Sequence, residues 1–550
     1  MELRKKRIDL LGVLMLGLCL ATVTSALTHG RAPAKQTVMV VMKDKTRLAT
    51  DVYVPEGPGR FPVILIRTPY DKNALAGLGE GSAKNGYVVV AQDTRGRFAS
   101  EGENLPFVGD AWGPLNDGYD TLEWIAAQPW CNGKIGTWGG SALGITQFGM
   151  AGSGTKRLTC QHITVGSPSL YHYTVFPGGV FKKAMIEDWL KGTNHAPNSL
   201  AFWTKHPIYD DFWKQRDLTR HWERANVPAI HIGGWYDIFS QATLDAFEGY
   251  QTKGGPSARL EQKLVMGPWT HGVGQATAGD LTFPNGSAPP NNALDPFRWF
   301  DAWLKDKDNG MKKLPAVTYY VMGDVTDKSA PGNVWRTANA WPPVKTRATP
   351  FYLHADHSLS TSSPTTGDPL TYTYDPKDPV TTVGGPQLTI PAGPMDQRKI
   401  ETRPDVLVFS SDPLTQPMEV TGHVLADLFI ASDAPDTDFF VKLCDVYPDG
   451  RSINICEGQL RARFRDGFDK EHLLKPGEIT PLKVDLWSTS MIFNKGHRLR
   501  VQVTSSSSPG YDPNPNTGDP FRANDRVQVA HNTVFLAGEN ASFILLPVAR

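Results

Sequence analysis

The sequence predicts an α/β domain followed by an all-β domain. Between residues 36 and 167, short apolar runs alternate with helix-like stretches, which indicates a parallel sheet covered by helices on both faces. The alternation returns over residues 223 to 312, whereas residues 168 to 222 lack it and are rich in aromatic and charged side chains. From residue 313 to residue 550, short alternating runs separated by Pro, Gly and Asp indicate a two-sheet sandwich or jelly roll.

The individual elements follow from these patterns. A helix is predicted over residues 117–128, which begin with acidic residues, and another lies around residues 297–305. We interpret residues 168–222 as an inserted, mostly helical cap. In the second domain, residues 498–504 (RLRVQVT) alternate as a half-buried strand does. The buried strands of the first domain are predicted at 62–66 (PVILI), 87–91 (YVVVA), 134–138, 158–165, 228–233 (PAIHIG) and 263–267 (KLVMG).

Length and charge exclude some classes of function. A chain of 550 residues is expected to form about two to four domains. Lys and Arg total 56, as do Asp and Glu, so no net charge would attract nucleic acid. We therefore expect small-molecule or short-peptide partners and no nucleic acid. No cofactor and no metal site is predicted, and the oligomeric state stays open.

The N-terminus has the organisation of a secretory signal peptide. Basic residues 4–7 (RKKR) precede an apolar stretch from Leu10 to Val23, and small residues end at Ala26. The stretch is shorter than the ~20 residues that span a bilayer. The sequence predicts cleavage of residues 1–26 and export to the periplasm or the medium, without later membrane attachment. An uncleaved signal anchor is the alternative.

Four cysteines remain after residue 26: Cys131, Cys160, Cys444 and Cys456. In an exported protein they could form disulfides, Cys131 with Cys160 and Cys444 with Cys456, although spacing cannot fix the pairing. Small buried thiols are the alternative. None has the spacing of a metal site.

Ser141 lies where a predicted strand meets a predicted helix. Glycines before a serine at such a corner allow the strained turn that presents a nucleophilic hydroxyl. The run is G-x-S-x-x-G, with Leu143 where the common G-x-S-x-G motif has its last glycine. Close packing of small residues at an ordinary strand–helix turn is the alternative.

Two later strand ends offer partners for Ser141. In an α/β-hydrolase the serine, the acid and the histidine follow one another in that order, each at the carboxyl end of a strand. Asp237 follows the strand at 228–233 and His271 follows the strand at 263–267. An imidazole can take the serine proton, and a carboxylate can orient the imidazole. The order predicts a triad of Ser141, Asp237 and His271.

An acyl-transfer site also needs donors for the oxyanion. The backbone N–H of Ala142, directly after the serine, is one by its position. A second donor is expected from the loop after the strand at 62–66, where Tyr70 carries the only uncharged hydroxyl with a long reach. Its alternative is a tyrosine packed over the sheet edge.

Several segments resemble the family of X-Pro dipeptidyl-peptidases (S15) and cocaine-esterase-like hydrolases. The resemblance covers residues 36 to the C-terminus and implies an α/β-hydrolase with a helical cap and a C-terminal jelly roll. It implies the triad Ser141, Asp237 and His271, with Tyr70 as an oxyanion donor. The matching segments are RTPYDK (67–72), AQDTRGRFASEGE (91–103), DGYDTLEWIAAQPWCNGKIGTWGGSALG (117–144), GGWYD (233–237) and MGPWTHG (266–272).

The sequence departs from this family at two places. Ala142 stands where the family has Tyr, so the backbone donor is kept but the pocket wall loses a ring. The family's amino-ester hydrolases have carboxylates just after the triad acid, where this chain has Ile238, Phe239 and Ser240. Together, Phe239, Trp235 and Trp269 suggest an apolar or aromatic acyl pocket. Core packing is the alternative for each ring.

The sequence thus predicts an exported serine hydrolase that cleaves carboxylic esters or activated amides through an acyl-enzyme on Ser141. An X-Pro dipeptidyl-peptidase or acylase of the same family is the first alternative. A non-catalytic, carbohydrate-binding β-sandwich protein is the alternative from another class.

Overall fold

A computed structural model describes residues 34–550, so the predicted signal peptide, residues 1–26, lies outside the described residues. No helix within this part of the chain is long and apolar enough to cross a bilayer. The N-terminal half forms twelve strands: β1 (Ala34–Val41), β2 (Arg47–Val54), β3 (Phe61–Thr68), β4 (Val88–Asp93), β5 (Cys131–Gly140), β6 (Leu158–Thr164), β7 (Ala229–Gly234), β8 (Lys263–Gly267), β9 (Thr277–Ala278), β10 (Leu281–Thr282), β11 (Val317–Val321) and β12 (Val334–Ala338).

Ten of these strands form one sheet in the order β1-β2-β4-β3-β5-β6-β7-β8-β11-β12, and β9 pairs with β10. Pairing is parallel from β4 to β11 and antiparallel at both edges. Parallel strands place their carboxyl ends at one edge, where α/β enzymes carry their sites. The helices are α1 (Ala76–Lys84), α2 (Asp117–Ala126), α3 (Ala142–Gly152), α4 (Lys183–Gly192), α5 (Ser199–Thr204), α6 (Asp211–Lys214), α7 (Ser240–Glu248), α8 (Pro296–Leu304) and α9 (Arg398–Glu401).

Both faces of the sheet are buried, which explains its continuous apolar strands. In β3, Val63 and Leu65 pack in the core that α2 and α3 cover. Ile64 and Ile66 point the other way, into the core that α8 covers. Successive side chains of a strand point to opposite faces of the sheet. Where helices cover both faces, every position of the strand therefore favours an apolar residue.

The sheet continues beyond the predicted domain boundary at residue 312. Strand β11 pairs in parallel with β8, with Val317 opposite Leu264, and β12 then pairs with β11. All five residues of β11 are buried, as expected of an inner strand of the sheet. The all-β domain therefore begins after Ala338, later than the sequence indicates.

The second domain is an antiparallel sandwich of a seven-stranded and a four-stranded sheet. Strand β20 alternates buried and exposed residues from Thr480 to Leu486, as expected when one face covers a core. The predicted fold class, an α/β-hydrolase with a helical insertion and a C-terminal all-β domain, is confirmed. Its strands are β13 (Thr346–Leu353), β14 (Leu359–Ser360), β15 (Leu370–Tyr374), β16 (Leu407–Ser410), β17 (Met418–Ser432), β18 (Asp438–Val446), β19 (Ser452–Arg461), β20 (Thr480–Phe493), β21 (Arg498–Thr504), β22 (Ala530–Phe535) and β23 (Phe543–Ala549).

Residues 168–222 hold α4, α5 and α6 with single helical turns, and we call this insertion the cap. The cap contacts the sandwich through backbone and side-chain bonds. Gln459 Nε2 donates to the Pro177 carbonyl over 2.9 Å, and Arg522 pairs with Glu187 at 2.7 Å. The sandwich therefore holds the cap over the sheet edge.

All four cysteines of residues 34–550 are free thiols. In the β5–β6 ladder, Cys160 lies opposite Gly136, five residues along the strand from Cys131. In the β18–β19 ladder, Cys456 lies opposite Leu443 rather than Cys444. The alternative of unpaired thiols applies here, since neither predicted pair is formed.

Candidate active site

Ser141 forms the turn between β5 and α3. Its backbone has φ 58° and ψ −125°, in a region that residues other than glycine rarely adopt. The N–H of Ser141 donates to the carbonyl of Thr164, at the end of neighbouring β6, over 3.0 Å. Strain of this kind costs about 1–3 kcal/mol and concentrates at functional sites. The turn lifts the hydroxyl to the edge of the sheet.

The glycines around Ser141 are required by close contacts. Gly139 has φ 148°, and a Cβ there would lie 2.4 Å from Cβ of Leu143. At Gly144 a Cβ would lie 2.9 Å from Cα of Gly166. The missing side chains let α3 begin directly at the end of the strand.

Asp237 and His271 meet at the carboxyl ends of β7 and β8. His271 Nδ1 lies 2.6 Å from Asp237 Oδ2. The Asp237 side chain is completely buried, and its Oδ1 accepts the N–H of Phe239 over 2.8 Å. Both carboxylate oxygens are thus occupied, which fixes the carboxylate and directs Nδ1–H of the imidazole toward it.

The other imidazole nitrogen is free. Within residues 34–550, Nε2 of His271 is buried and has no hydrogen-bond partner. With its proton on Nδ1, the ring presents an acceptor lone pair at Nε2. This is the form of the imidazole that can take a proton.

Tyr70 follows β3, and its hydroxyl reaches the same place. The hydroxyl accepts the indole N–H of Trp189 over 2.9 Å, and the Ser141 side chain lies close to it. Burial raises the pKa of Tyr70 to about 12, against the smaller opposite effect of these polar neighbours. The phenol therefore keeps its proton at neutral pH and can donate it in a hydrogen bond.

Ala142 is the first residue of α3. The first N–H groups of a helix have no partner inside it, so this N–H is available as a donor beside the Ser141 hydroxyl. The Ala142 side chain is buried and packs in the same apolar cluster as Phe239.

Of the three predicted pocket rings, Phe239 contacts the site. Its ring lies edge-on to His271, with 5.9 Å between ring centres. The same buried cluster includes Phe107, Ile145 and Trp189. Tyr70 packs against this cluster, and Phe239 connects it to His271.

Trp235 and Trp269 are not in this cluster, and each packs in another core, as the core-packing alternative expects. The indole of Trp235 donates to the Tyr320 carbonyl over 2.7 Å. The ring of Trp269 packs on Trp335, with ring centres 5.6 Å apart. Tyr320 and Trp335 lie in β11 and β12, the two strands beyond the predicted domain boundary at residue 312. Their position in the sheet covers both tryptophans.

Sequence reasoning missed Trp189 and Phe107. Phe107 stacks on Trp189, with ring centres 5.8 Å apart and planes 1° from parallel. The aromatic richness of the cap was the available signal for Trp189, but it did not single out this ring, and Phe107 lies outside the cap.

A buried lysine was also missed. Lys182, just before α4, has no hydrogen-bond partner for Nζ among the described residues and lies 5.9 Å from the centre of the Trp487 ring. Burial lowers the pKa of Lys182 to about 8, against the opposing charges of Asp237 and Glu457.

No group of three or more His, Cys, Asp and Glu side chains within residues 34–550 is arranged to hold a metal ion. The chemistry available here is that of Ser141, His271, Asp237 and Tyr70. These side chains can carry out acyl transfer.

Comparison with known proteins gives two family models that together cover most of the chain. The model of the X-Pro dipeptidyl-peptidase (S15 family) matches residues 44–201 and 184–273. The model of the X-Pro dipeptidyl-peptidase C-terminal non-catalytic domain matches residues 309–545.

Individual relatives agree with these models. A cocaine esterase of Rhodococcus sp. (strain MB1 Bresler) is 34% identical over 591 residues, covering 95% of this chain and 100% of the relative. The structure of an α-amino acid ester hydrolase superimposes with a TM-score of 0.78 at 26% identity, over 96% of this chain and 99% of the other. A CocE/NonD family hydrolase from Staphylococcus aureus gives a TM-score of 0.73 at 21% identity, over 94% and 93% of the two chains, which supports the fold.

Proposed function

Because this chain belongs to the family of X-Pro dipeptidyl-peptidases (S15) and cocaine-esterase-like hydrolases, we propose that it cleaves carboxylic esters or activated amides through an acyl-enzyme on Ser141. The observation that carries the proposal is the 2.6 Å contact between His271 Nδ1 and Asp237. It leaves Nε2 as an acceptor at the sheet edge where Ser141 forms its strained turn.

In the proposed reaction, Ser141 Oγ attacks the carbonyl carbon while Nε2 of His271 takes the hydroxyl proton. The imidazolium then gives this proton to the leaving alcohol or amine, and the acyl group stays on Ser141. A water molecule that loses its proton to the same nitrogen attacks the acyl carbonyl. The acid is released and Ser141 regains its proton.

Asp237 stabilises the imidazolium that forms in both steps and keeps the ring in one tautomer. The oxyanion of each tetrahedral intermediate accepts hydrogen bonds from the Tyr70 hydroxyl and the Ala142 N–H. The high pKa of Tyr70 supports this role, because a neutral phenol donates and a phenolate cannot.

Replacing Tyr70 by phenylalanine is expected to lower kcat about 100- to 1000-fold, the effect of losing one oxyanion donor. Turnover of an aryl ester measures this loss. Tyr250→Phe is the control, because that buried hydroxyl bonds Gln161 in the core, and its kcat should stay near wild type. Full turnover by Tyr70→Phe would contradict the assignment.

We propose an apolar or aromatic acyl group for the substrate. The cluster of Phe239, Phe107 and Trp189 beside His271 supports this choice. The two residues that directly follow the acid, Ile238 and Phe239, are apolar and buried. These two positions therefore offer no carboxylate to bind a substrate ammonium.

The main alternative is an X-Pro dipeptidyl-peptidase, which the S15 family match supports. Hydrolysis of a simple aryl ester should exceed that of Ala-Pro-anilide at equal enzyme concentration. Peptidase activity requires a group that holds the substrate ammonium, whereas hydrolysis of a simple ester does not. A higher kcat/KM for Ala-Pro-anilide would reverse the choice.

We also propose that the enzyme is exported to the periplasm or the medium. The basic residues 4–7, the apolar stretch from Leu10 to Val23 and the small residues before position 27 support this proposal. The mass of the exported protein should correspond to a chain that begins at Leu27. A chain that retains Met1 would contradict cleavage.

A further inference from the structure

Arg97 is a buried arginine beside the site that the proposed reaction does not use. It lies in the loop after β4 and is 3% exposed. Its Nε donates to the Pro69 carbonyl over 3.0 Å. Its Nη1 donates to the side chain of Asn104 over 2.7 Å and to the Asn194 carbonyl over 3.0 Å. Its Nη2 donates to the Thr193 carbonyl.

The backbone carbonyls that Arg97 binds belong to two separate parts of the molecule. Pro69 immediately precedes Tyr70 in the loop after β3. Thr193 and Asn194 immediately follow α4, the cap helix that carries Trp189. A guanidinium offers five donors in a rigid plane, so it can bind several carbonyls in fixed directions. Arg97 therefore ties the Tyr70 loop to the end of this cap helix.

Trp189 makes the second connection between these two parts. Its indole N–H donates to the Tyr70 hydroxyl over 2.9 Å. The ring packs against Phe107, whose ring centre is 5.8 Å away, and against His195, whose ring centre is 4.7 Å away. With one lone pair occupied by the indole, the phenol proton is directed elsewhere. Hydrogen bonds in such a chain also polarise one another, which strengthens the donor.

We propose that Arg97 and Trp189 are positioning residues that make Tyr70 an effective oxyanion donor, so that the cap completes the oxyanion hole. This inference rests on the proposed function, because it assigns a role to the same hydroxyl. Arg97 fixes the loop that carries Tyr70, and Trp189 fixes the rotation of its O–H bond. The Tyr70 hydroxyl then stabilises the transition state fully only when the cap helix is docked on the sheet domain.

The test is a pair of double-mutant cycles with an aryl ester substrate. Arg97→Lys keeps the charge but loses the planar set of donors, and Trp189→Phe keeps a ring but loses the N–H. Each should lower kcat about 10- to 100-fold, since misplacement of a catalytic group by about 1 Å has effects of this size. KM should change much less. In the Tyr70→Phe background, Arg97→Lys should change kcat by less than about twofold, the scatter expected of uncoupled sites. Trp189→Phe, whose ring also packs in the apolar cluster of the site, should lose much less kcat there than in the wild-type background.

Arg95→Lys is the matched control. Arg95 is a buried arginine two residues away that binds Asp117 and Asp44 and not the Tyr70 loop. Its effect on kcat should be the same with and without the Tyr70 hydroxyl. Thermal unfolding shows which variants fold. If Arg97→Lys does not fold, the cycle with Trp189→Phe decides the question.

Equal losses of kcat in the two backgrounds would overturn this inference and leave the Ser141 mechanism intact. A wild-type protein without esterase activity, or a Tyr70→Phe variant at full rate, would instead contradict the proposed function. The two failures are therefore distinguishable in one set of measurements.

Discussion

Replacing Ser141 by alanine is expected to lower kcat for ester hydrolysis by about a million-fold, because the proposed acyl-enzyme forms on this hydroxyl. The strained turn with φ 58° holds this one side chain at the sheet edge, where His271 and Tyr70 also lie. A fluorophosphonate probe, which reacts with activated serines, should label the wild-type protein. It should not label Ser141→Ala.

Ser153→Ala is the control for this experiment. Ser153 caps the far end of the same helix and donates to the Met150 carbonyl. This variant should take the label at the wild-type rate. Undiminished labelling of Ser141→Ala would show that another residue is the nucleophile. A wild-type protein that takes no label but binds glycans would favour the non-catalytic, carbohydrate-binding alternative.

Replacing Asp237 by asparagine is expected to lower kcat about 10,000-fold while leaving the fold in place. The backbone N–H of Phe239 donates to one oxygen of Asp237, so the asparagine carbonyl would keep that bond. Its amide group would then face Nδ1 of His271 and donate to it. The imidazole would carry its proton on Nε2 and could not accept the proton of Ser141.

The kcat for an aryl ester measures this effect, and the KM should stay close to the wild-type value. Asp445→Asn is the matched control, because Asp445 is a buried carboxylate that binds His497 Nδ1 at 2.9 Å in the second domain. That variant should be less stable but should keep its kcat. A loss of turnover in Asp237→Asn no larger than that in Asp445→Asn would contradict the role of Asp237.

The sequence predicted the fold class because its signals are local. The strand predicted at residues 62–66 lies within β3, and the strand predicted at 263–267 is β8 itself. The helix predicted over 117–128 spans Asp117–Ala126. Continuous apolar runs and alternating runs report how many faces of a strand are buried, which separates the parallel sheet from the sandwich. The family resemblance is likewise confirmed by the models and by the cocaine esterase relative.

The boundary at residue 312 and the pocket rings could not be predicted in the same way. Strand β11 has the sequence VTYYV, and nothing in these five residues states whether they pair with β8 or with a strand of the sandwich. Because β11 and β12 join the first sheet, their side chains and carbonyls pack against Trp235 and Trp269.

By itself, the sequence determined which residues end the strands of the parallel sheet. Parallel strands bring their carboxyl ends together, so the chain order of Ser141, Asp237 and His271 predicts a triad, and the structure shows the contact between Asp237 and His271. Only the tertiary structure decided what surrounds them. Trp189 is 119 residues from Tyr70 in the chain, and Arg97 is 97 residues from Asn194. Such contacts depend on how the cap docks on the sheet, because packing and hydrogen bonding between distant segments leave no periodic pattern in either segment alone.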